Sequence, residues 1–89
     1  MELYILLEKG QGRLEIRADK TVVGFEAFTH DRDLGTRLIE TLDSLLKKTT
    51  IDLASISSYS LESMTGPDST ASRIAQAFIE GLKLPPDEV

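Results

Sequence analysis

The spacing of apolar residues divides the chain into two parts with different periods. The first part, residues 2–28, consists of short apolar runs of strand length separated by turn residues. Residues 2–8 are apolar with little alternation, which predicts a central strand buried on both faces. Residues 13–18 alternate and residues 21–28 are rich in β-branched and aromatic types, so each predicts a further strand. With turns between them, the first at residues 9–12, these segments predict a three-stranded antiparallel meander.

From about Asp31 the apolar residues recur at intervals of three and four. This period predicts a helix over residues 31–48, with Asp31 and Asp33 in its first turn, where negative charge suits the helix dipole. A connector at residues 51–54 and a weak strand at residues 55–61 follow. A strand, a helix and a further strand form a right-handed crossover, so we expect the fourth strand to lie parallel to the first.

A second helix is predicted over residues 68–82, after a turn at Gly66-Pro67. Asp68 and Ser69 are both suitable N-cap residues. The helix has more apolar surface than one packing face requires, because a second stripe lies beside the stripe formed by residues 74, 77, 78 and 82. We expect this second stripe and one residue of the first helix to form a partner interface: Ala71, Ala75, Ile79 and Ile39. The alternative is that one helix covers the other within this chain.

The predicted element order is β-β-β-α-β-α, an α/β fold with an antiparallel meander, one parallel strand and two helices. The chain has 89 residues, which is enough for one small domain over 1–89. Residues 84–89 begin with a Leu and two prolines and are expected to form a tail. No internal repeat or low-complexity linker divides the sequence.

The composition restricts the classes of partner and chemistry. The net charge is -5 and the isoelectric point is near 4.7, without a basic run, which disfavours direct binding to nucleic acid or to an anionic membrane. The sequence has no Cys, which excludes disulfides, thiol chemistry and cysteine-ligated zinc. There is no signal-peptide pattern and no apolar run of membrane-spanning length, so a cytoplasmic protein is expected.

Few residues are candidates for chemistry. Residues 8–12 could form a phosphate-binding loop, but a hairpin turn with glycines explains them more simply. A carboxylate at Asp68 would repel an anion from the helix start, and His30 has no partner at metal-ligand or triad spacing. Glu8, Asp31 and Asp33 could form a carboxylate cluster, although charge at a helix start explains the two aspartates. We therefore predict no catalytic, cofactor-binding or metal-binding residues.

Three segments, residues 38–46, 51–56 and 66–75, have the order and composition of family motifs. They resemble the TsaB (YeaZ) family, which has the ribonuclease-H-like, actin-like ATPase fold (ASKHA, glycoprotease M22-like). Residues 38–46, LIETLDSLL, are similar to the family run LLPLIDELL, and residues 51–56 are similar to its connector LSDLDAI. Residues 66–75, GPDSTASRIA, are similar to the signature GPGSFTGLRIG, with Asp68 in place of the second glycine. The family strand that ends IDTS is represented here by residues 7–10, LEKG. The chain thus resembles a truncated, diverged member, equivalent to the N-terminal half of the fold.

The resemblance implies a non-catalytic subunit that supports threonylcarbamoyladenosine modification of tRNA. It implies that the helix pair packs against a catalytic TsaD-like protein or against a second copy, and that contact with tRNA comes through partners. A second hypothesis is a nucleotide-binding or hydrolytic half-domain whose cleft is completed by dimerisation. A third is a remnant dimerisation module with an unrelated partner.

Overall fold

A computed structural model describes residues 1–66 and 69–83 of the chain. The strands are β1 (Glu2–Glu8), β2 (Gln11–Ala18), β3 (Thr21–Thr29) and β4 (Ser58–Ser63). The helices are α1 (Leu34–Thr49) and α2 (Thr70–Lys83), and a single 3-10 turn covers Leu53–Ser55. The strands form one sheet in the order β3-β2-β1-β4, in which β1 is antiparallel to β2 and parallel to β4. The predicted α/β order is confirmed.

Two tight turns build the meander. Lys9 and Gly10 connect β1 to β2, and Gly10 has a φ of 75°, in the left-handed region that glycine adopts without strain. Asp19 and Lys20 connect β2 to β3 with φ values of 51° and 69°, as a type I′ hairpin turn requires. The first turn is therefore two residues long, and β2 begins earlier than the predicted residue 13.

Both helices pack on the same face of the sheet, so the molecule has two layers. The core lies between them and is built from alternate residues of the strands together with one side of each helix: Leu3, Ile5, Leu7, Leu14, Ile16, Leu34, Leu38, Leu42, Leu45, Ile56, Ala75 and Ile79. Strand β1 alternates between buried and half-buried residues. The prediction that β1 is buried on both faces is therefore wrong, because the helices cover only one of them.

The predicted boundaries of three further elements differ from the structure. Helix α1 begins at Leu34, so Asp31 and Asp33 precede its first turn. Strand β4 begins at Ser58, since the chain first makes the 3-10 turn. Helix α2 covers Thr70–Lys83, so it begins two residues later and ends one residue later than the predicted range 68–82.

The helix-free face of the sheet carries an ordered layer of charged and aromatic side chains. Glu15 is largely buried. Its Oε1 accepts from Arg17 Nη2 at 2.7 Å, and its Oε2 forms an ion pair with Arg13 Nε at 2.7 Å. The Arg13 guanidinium lies 4.0 Å from the centre of the Phe25 ring, and that of Arg17 lies 4.0 Å from the Tyr4 ring. The two guanidinium groups compensate for the burial of the Glu15 carboxylate, and each of them is held in turn over an aromatic face.

Candidate interaction surface

The two helices meet along a seam that begins near the start of α1. A Cβ at Gly35 would lie 3.8 Å from Ile74 Cγ2, so α2 passes close to this glycine. Ile39 is one turn further along the same side of α1, and Leu46 follows at helical spacing. On α2, Ile74 faces α1 and Phe78 follows it one turn later, and both are half-buried.

The four predicted interface residues lie in different environments. Ile39 is 63% exposed, and Ala71 is half-buried. Ala75 is 0% exposed and Ile79 is 7% exposed, and both belong to the core of this chain. The expectation that a partner covers Ala75 and Ile79 needs correction, because the sheet already covers them.

The surface left for a partner consists of the other α2 stripe and the exposed part of α1. We define the helix-pair patch as Ile39, Leu46, Ile74 and Phe78. The sequence contained this signal, since residues 74 and 78 were assigned to the first α2 stripe. The sequence did not indicate how the helix is rotated about its own axis. That rotation determines which of the two neighbouring stripes faces the sheet.

Hydroxyl groups order the turn between β4 and α2. Ser69 Oγ accepts from the Ser72 backbone N–H at 3.1 Å, which is the geometry of a helix N-cap. Ser72 is 1% exposed, and its hydroxyl donates to the Gly66 carbonyl at 2.6 Å. Ser63 and Thr65 continue the network, with Oγ and Oγ1 2.7 Å apart. The other predicted cap, Asp68, lies outside the described residues.

The turn between β1 and β2 was the candidate phosphate loop, and His30 organises it. The backbone N–H of His30 donates to the Gly10 carbonyl at 3.1 Å. Its Nε2 lies 3.2 Å from the Glu8 carbonyl and 3.1 Å from the Gln11 carbonyl. Carbonyl oxygens only accept, so Nε2 carries the proton and donates to both. This face of the turn therefore presents acceptors, already paired with His30, rather than the N–H groups that bind phosphate.

A second close contact fills the other side of the same hairpin. Gly12 lies beneath the Phe28 ring, and a Cβ on Gly12 would be 2.3 Å from Phe28 Cζ. A glycine is required there because the aromatic ring occupies the space of a side chain. Sequence reasoning treated Gly12 as a turn residue, whereas it belongs to β2 and serves packing.

The carboxylates that precede α1 are held by local bonds. Asp33 Oδ1 accepts from the Asp31 backbone N–H at 3.0 Å, and Asp33 Oδ2 accepts from Arg37 Nε at 2.9 Å. The Asp31 N–H, together with Arg37, lowers the pKa of the Asp33 carboxyl below its ordinary value. Within residues 1–66 and 69–83, no three His, Asp or Glu side chains converge on a position where they could hold a metal ion.

Neither described helix is long and apolar enough to cross a membrane. The element order and mixed sheet place the chain in the α/β class. No protein-family model matches the sequence, and no curated protein matches it.

Among solved structures, the chain is similar to YeaZ from Pseudomonas aeruginosa. The TM-score is 0.74 at 18% sequence identity, and the match covers 91% of this chain and 37% of YeaZ. The chain thus has the fold of part of YeaZ and spans little more than a third of its length. At this identity the likeness establishes the fold alone.

Proposed function

We propose that this chain is a non-enzymatic interaction module that acts like TsaB (YeaZ). It binds a TsaD-like protein through α1 and α2, and in this way supports threonylcarbamoyladenosine modification of tRNA in the cytoplasm. The observation that supports the proposal is the structural match to YeaZ over 91% of this chain. Self-association through the same two helices is the alternative use of this surface.

The helix-pair patch gives the proposal a physical basis. Ile39 is a large aliphatic side chain that is 63% exposed. The leucines along α1 are buried or half-buried against the core. Complete burial of such a side chain contributes about 1.5–3 kcal/mol relative to exposure. Half-buried Ile74 and Phe78 lie beside it across the seam, so a partner helix laid along the seam would cover all three at once.

The charge of the chain is consistent with a role that reaches tRNA through a partner. At a net charge of -5, a protein is repelled by the phosphate backbone rather than attracted to it. The surface of α1 beyond the patch carries ion pairs, including Lys47 with Asp43 at 2.9 Å. These charges form a polar rim around the apolar patch, as is usual at protein interfaces.

The test is binding to the TsaD-like protein from the same genome, measured by size exclusion with light scattering and by titration calorimetry. We expect Ile39→Glu to raise the dissociation constant at least about tenfold, because it would bury a charge at the centre of the patch. Thr36→Glu adds the same charge to the exposed side of the same helix and is the matched control. It should bind like the unchanged chain.

The proposal fails if the unchanged chain does not bind a TsaD-like protein at high micromolar concentration. The assignment of the binding surface to the helix-pair patch fails if Ile39→Glu and Thr36→Glu bind the TsaD-like protein equally well. Circular dichroism of both variants establishes that neither has lost the fold.

A further inference from the structure

We propose that a second copy of this chain pairs with the outer edge of β4, so that two four-stranded sheets join into one. The observation that carries this inference is an edge strand without the usual protection, beside a groove whose side chains complement their own copies. This surface is separate from the helix-pair patch. The pairing therefore leaves that patch free in each copy.

The pairing register shows which β4 backbone groups point outward. Leu7 pairs with Ser63, and the Met64 N–H donates to the Leu7 carbonyl at 2.8 Å. In a parallel ladder this arrangement places the bonded groups on alternate residues, so Ser60 and Glu62 bond to β1. The N–H and C=O groups of the intervening residues Tyr59, Leu61 and Ser63 point away from β1. In the part of the chain that the structure describes, no strand pairs with them.

The opposite edge of the sheet, formed by β3, is protected against pairing with another strand, unlike the β4 edge. On β3, Lys48 Nζ donates to the Phe25 carbonyl at 2.9 Å, and the register shifts between Ile16 and Arg17 of the paired strand. A lysine over the edge and a bulge are two devices by which proteins prevent edge pairing. Strand β4 has an uninterrupted register and contains neither Lys nor Pro. It is therefore suited to accept another strand.

A groove runs along this edge between β4 and α2. One pocket is lined by Leu61, Ser63, Ser72 and Gln76, and the next is lined by Tyr59, Leu61, Gln76, Ile79, Glu80 and Lys83. Leu61 and Gln76 line both, so Gln76 lies level with Leu61. The half-buried Tyr59 and Leu61 give the groove its apolar floor.

The sequence of β4 is compatible with pairing to itself. An antiparallel pairing centred on Leu61 bonds Leu61 to its own copy and Tyr59 to the Ser63 of the other copy, so it uses every outward-facing residue. On the opposite face, Ser60 then lies across from the Glu62 of the other copy. A shift of one bonded pair toward Ser63 would instead place the two Glu62 side chains opposite each other. Like-charge repulsion disfavours that shifted register, and a shift toward Tyr59 would leave Ser63 without a partner.

The helices above the strands also fit this symmetry. Helix α2 contacts both β1 and β4. Because neighbouring strands lie about 4.8 Å apart, the two α2 axes would lie about 10 Å apart across the new pair, close to the ordinary packing distance. The two-fold axis through Leu61 places Gln76 opposite its own copy, and a side-chain amide both donates and accepts. It also places Arg73 opposite the Glu80 of the other copy, which is an attractive charge pair in addition to the contact of Glu80 with Lys83 of its own copy at 3.8 Å.

The test is the dissociation constant of the full 89-residue chain, measured by sedimentation equilibrium from micromolar to millimolar concentration. Arg73→Glu and Glu80→Arg each place like charges across the proposed axis, and each should raise the dissociation constant about tenfold. The double variant Arg73→Glu with Glu80→Arg restores opposite charges and should return the constant to its original value. Within one copy these residues are seven positions apart, so the restoration requires a second copy.

Amide hydrogen exchange gives an independent measure. The N–H groups of Tyr59, Leu61 and Ser63 should become protected as concentration rises, while their neighbours Ser60 and Glu62 are protected at every concentration. Ile39→Glu serves as the control, since it alters the helix-pair patch and should leave this dimer unchanged.

Three results would overturn the inference. One is a chain that stays monomeric at millimolar concentration, whether its β4 amides exchange freely or are covered from within the chain. Another is a dimer that the two single charge variants do not weaken. The third is a dimer that both single variants weaken and the double variant does not restore. That outcome would mean that Arg73 of one copy does not lie opposite Glu80 of the other.

Discussion

Single residues explain why the loop between β1 and β2 has a defined shape. The imidazole of His30 donates one proton to two carbonyls, and Phe28 fills the space above Gly12. Both residues lie at the end of β3, far in sequence from the loop they stabilise. A lone histidine gives no sign of such a role in the sequence, because its partners are backbone carbonyls that any residue supplies.

Replacing His30 should therefore weaken the hairpin without altering the helix layer. We expect His30→Ala to lower the free energy of unfolding by about 1 kcal/mol, since the carbonyls of Glu8 and Gln11 lose their donor. Urea denaturation measures the change, and Thr29→Ala, at the exposed neighbouring position, is the control. Equal stability of the two variants would mean that solvent replaces the imidazole at no cost.

At the scale of elements, α2 illustrates what the sequence could and could not predict. Its period of three and four predicted a helix with two apolar stripes, and the structure has that helix. The choice between the stripes depends on the turn that precedes it. Ser69 and Ser72 anchor the start of α2 to Ser63 at the end of β4, and this places Ala75 and Ile79 over the sheet. Side-chain hydrogen bonds between two elements leave no period in the sequence.

The finding that Ile79 lies in the core, whereas Ile39 is exposed, can be tested by the same substitution at both positions. Ile79→Ala should destabilise the chain by about 2–5 kcal/mol, because it leaves a cavity in the core. Ile39→Ala should change the free energy of unfolding by about 0.5 kcal/mol or less, because the side chain is exposed. Urea denaturation of the two variants gives the comparison. Similar losses would contradict the burial difference between the two positions.

Boundaries were predicted less well than elements, for reasons specific to each. Asp31 and Asp33 suggested a helix start, but Asp33 bonds to the Asp31 backbone N–H and holds the chain in a bend before α1. The segment that contains β4 is rich in Ser, so no alternation marks where pairing begins. In both places short polar side chains compete with regular structure for backbone hydrogen bonds.

For the whole molecule, the order of elements was sufficient to predict the topology. Once three strands form a meander and a helix leads to a fourth, handedness and parallel pairing leave few arrangements, and the sheet has the expected one. The sequence did not predict the surfaces of the molecule. The unprotected β4 edge and the layer of Arg13 and Arg17 over aromatic rings arise only when distant strands are aligned. The proposed β4 pairing surface therefore depends on that alignment.

The central position of β1 has a consequence for the order in which the chain folds. Glu2 pairs with Arg17 on one side and with Ser58 on the other, so β1 belongs both to a local hairpin and to a long-range pairing. Closing a long loop costs more chain entropy than closing a short one, which favours early formation of the meander and late docking of β4 with α2. The last segment to assemble is then also the one that presents Leu61 and Gln76. In pulse-labelling hydrogen exchange, the β1 and β2 amides should be protected before those of β4, and the β1 edge that β4 later covers would be exposed to other chains during that interval.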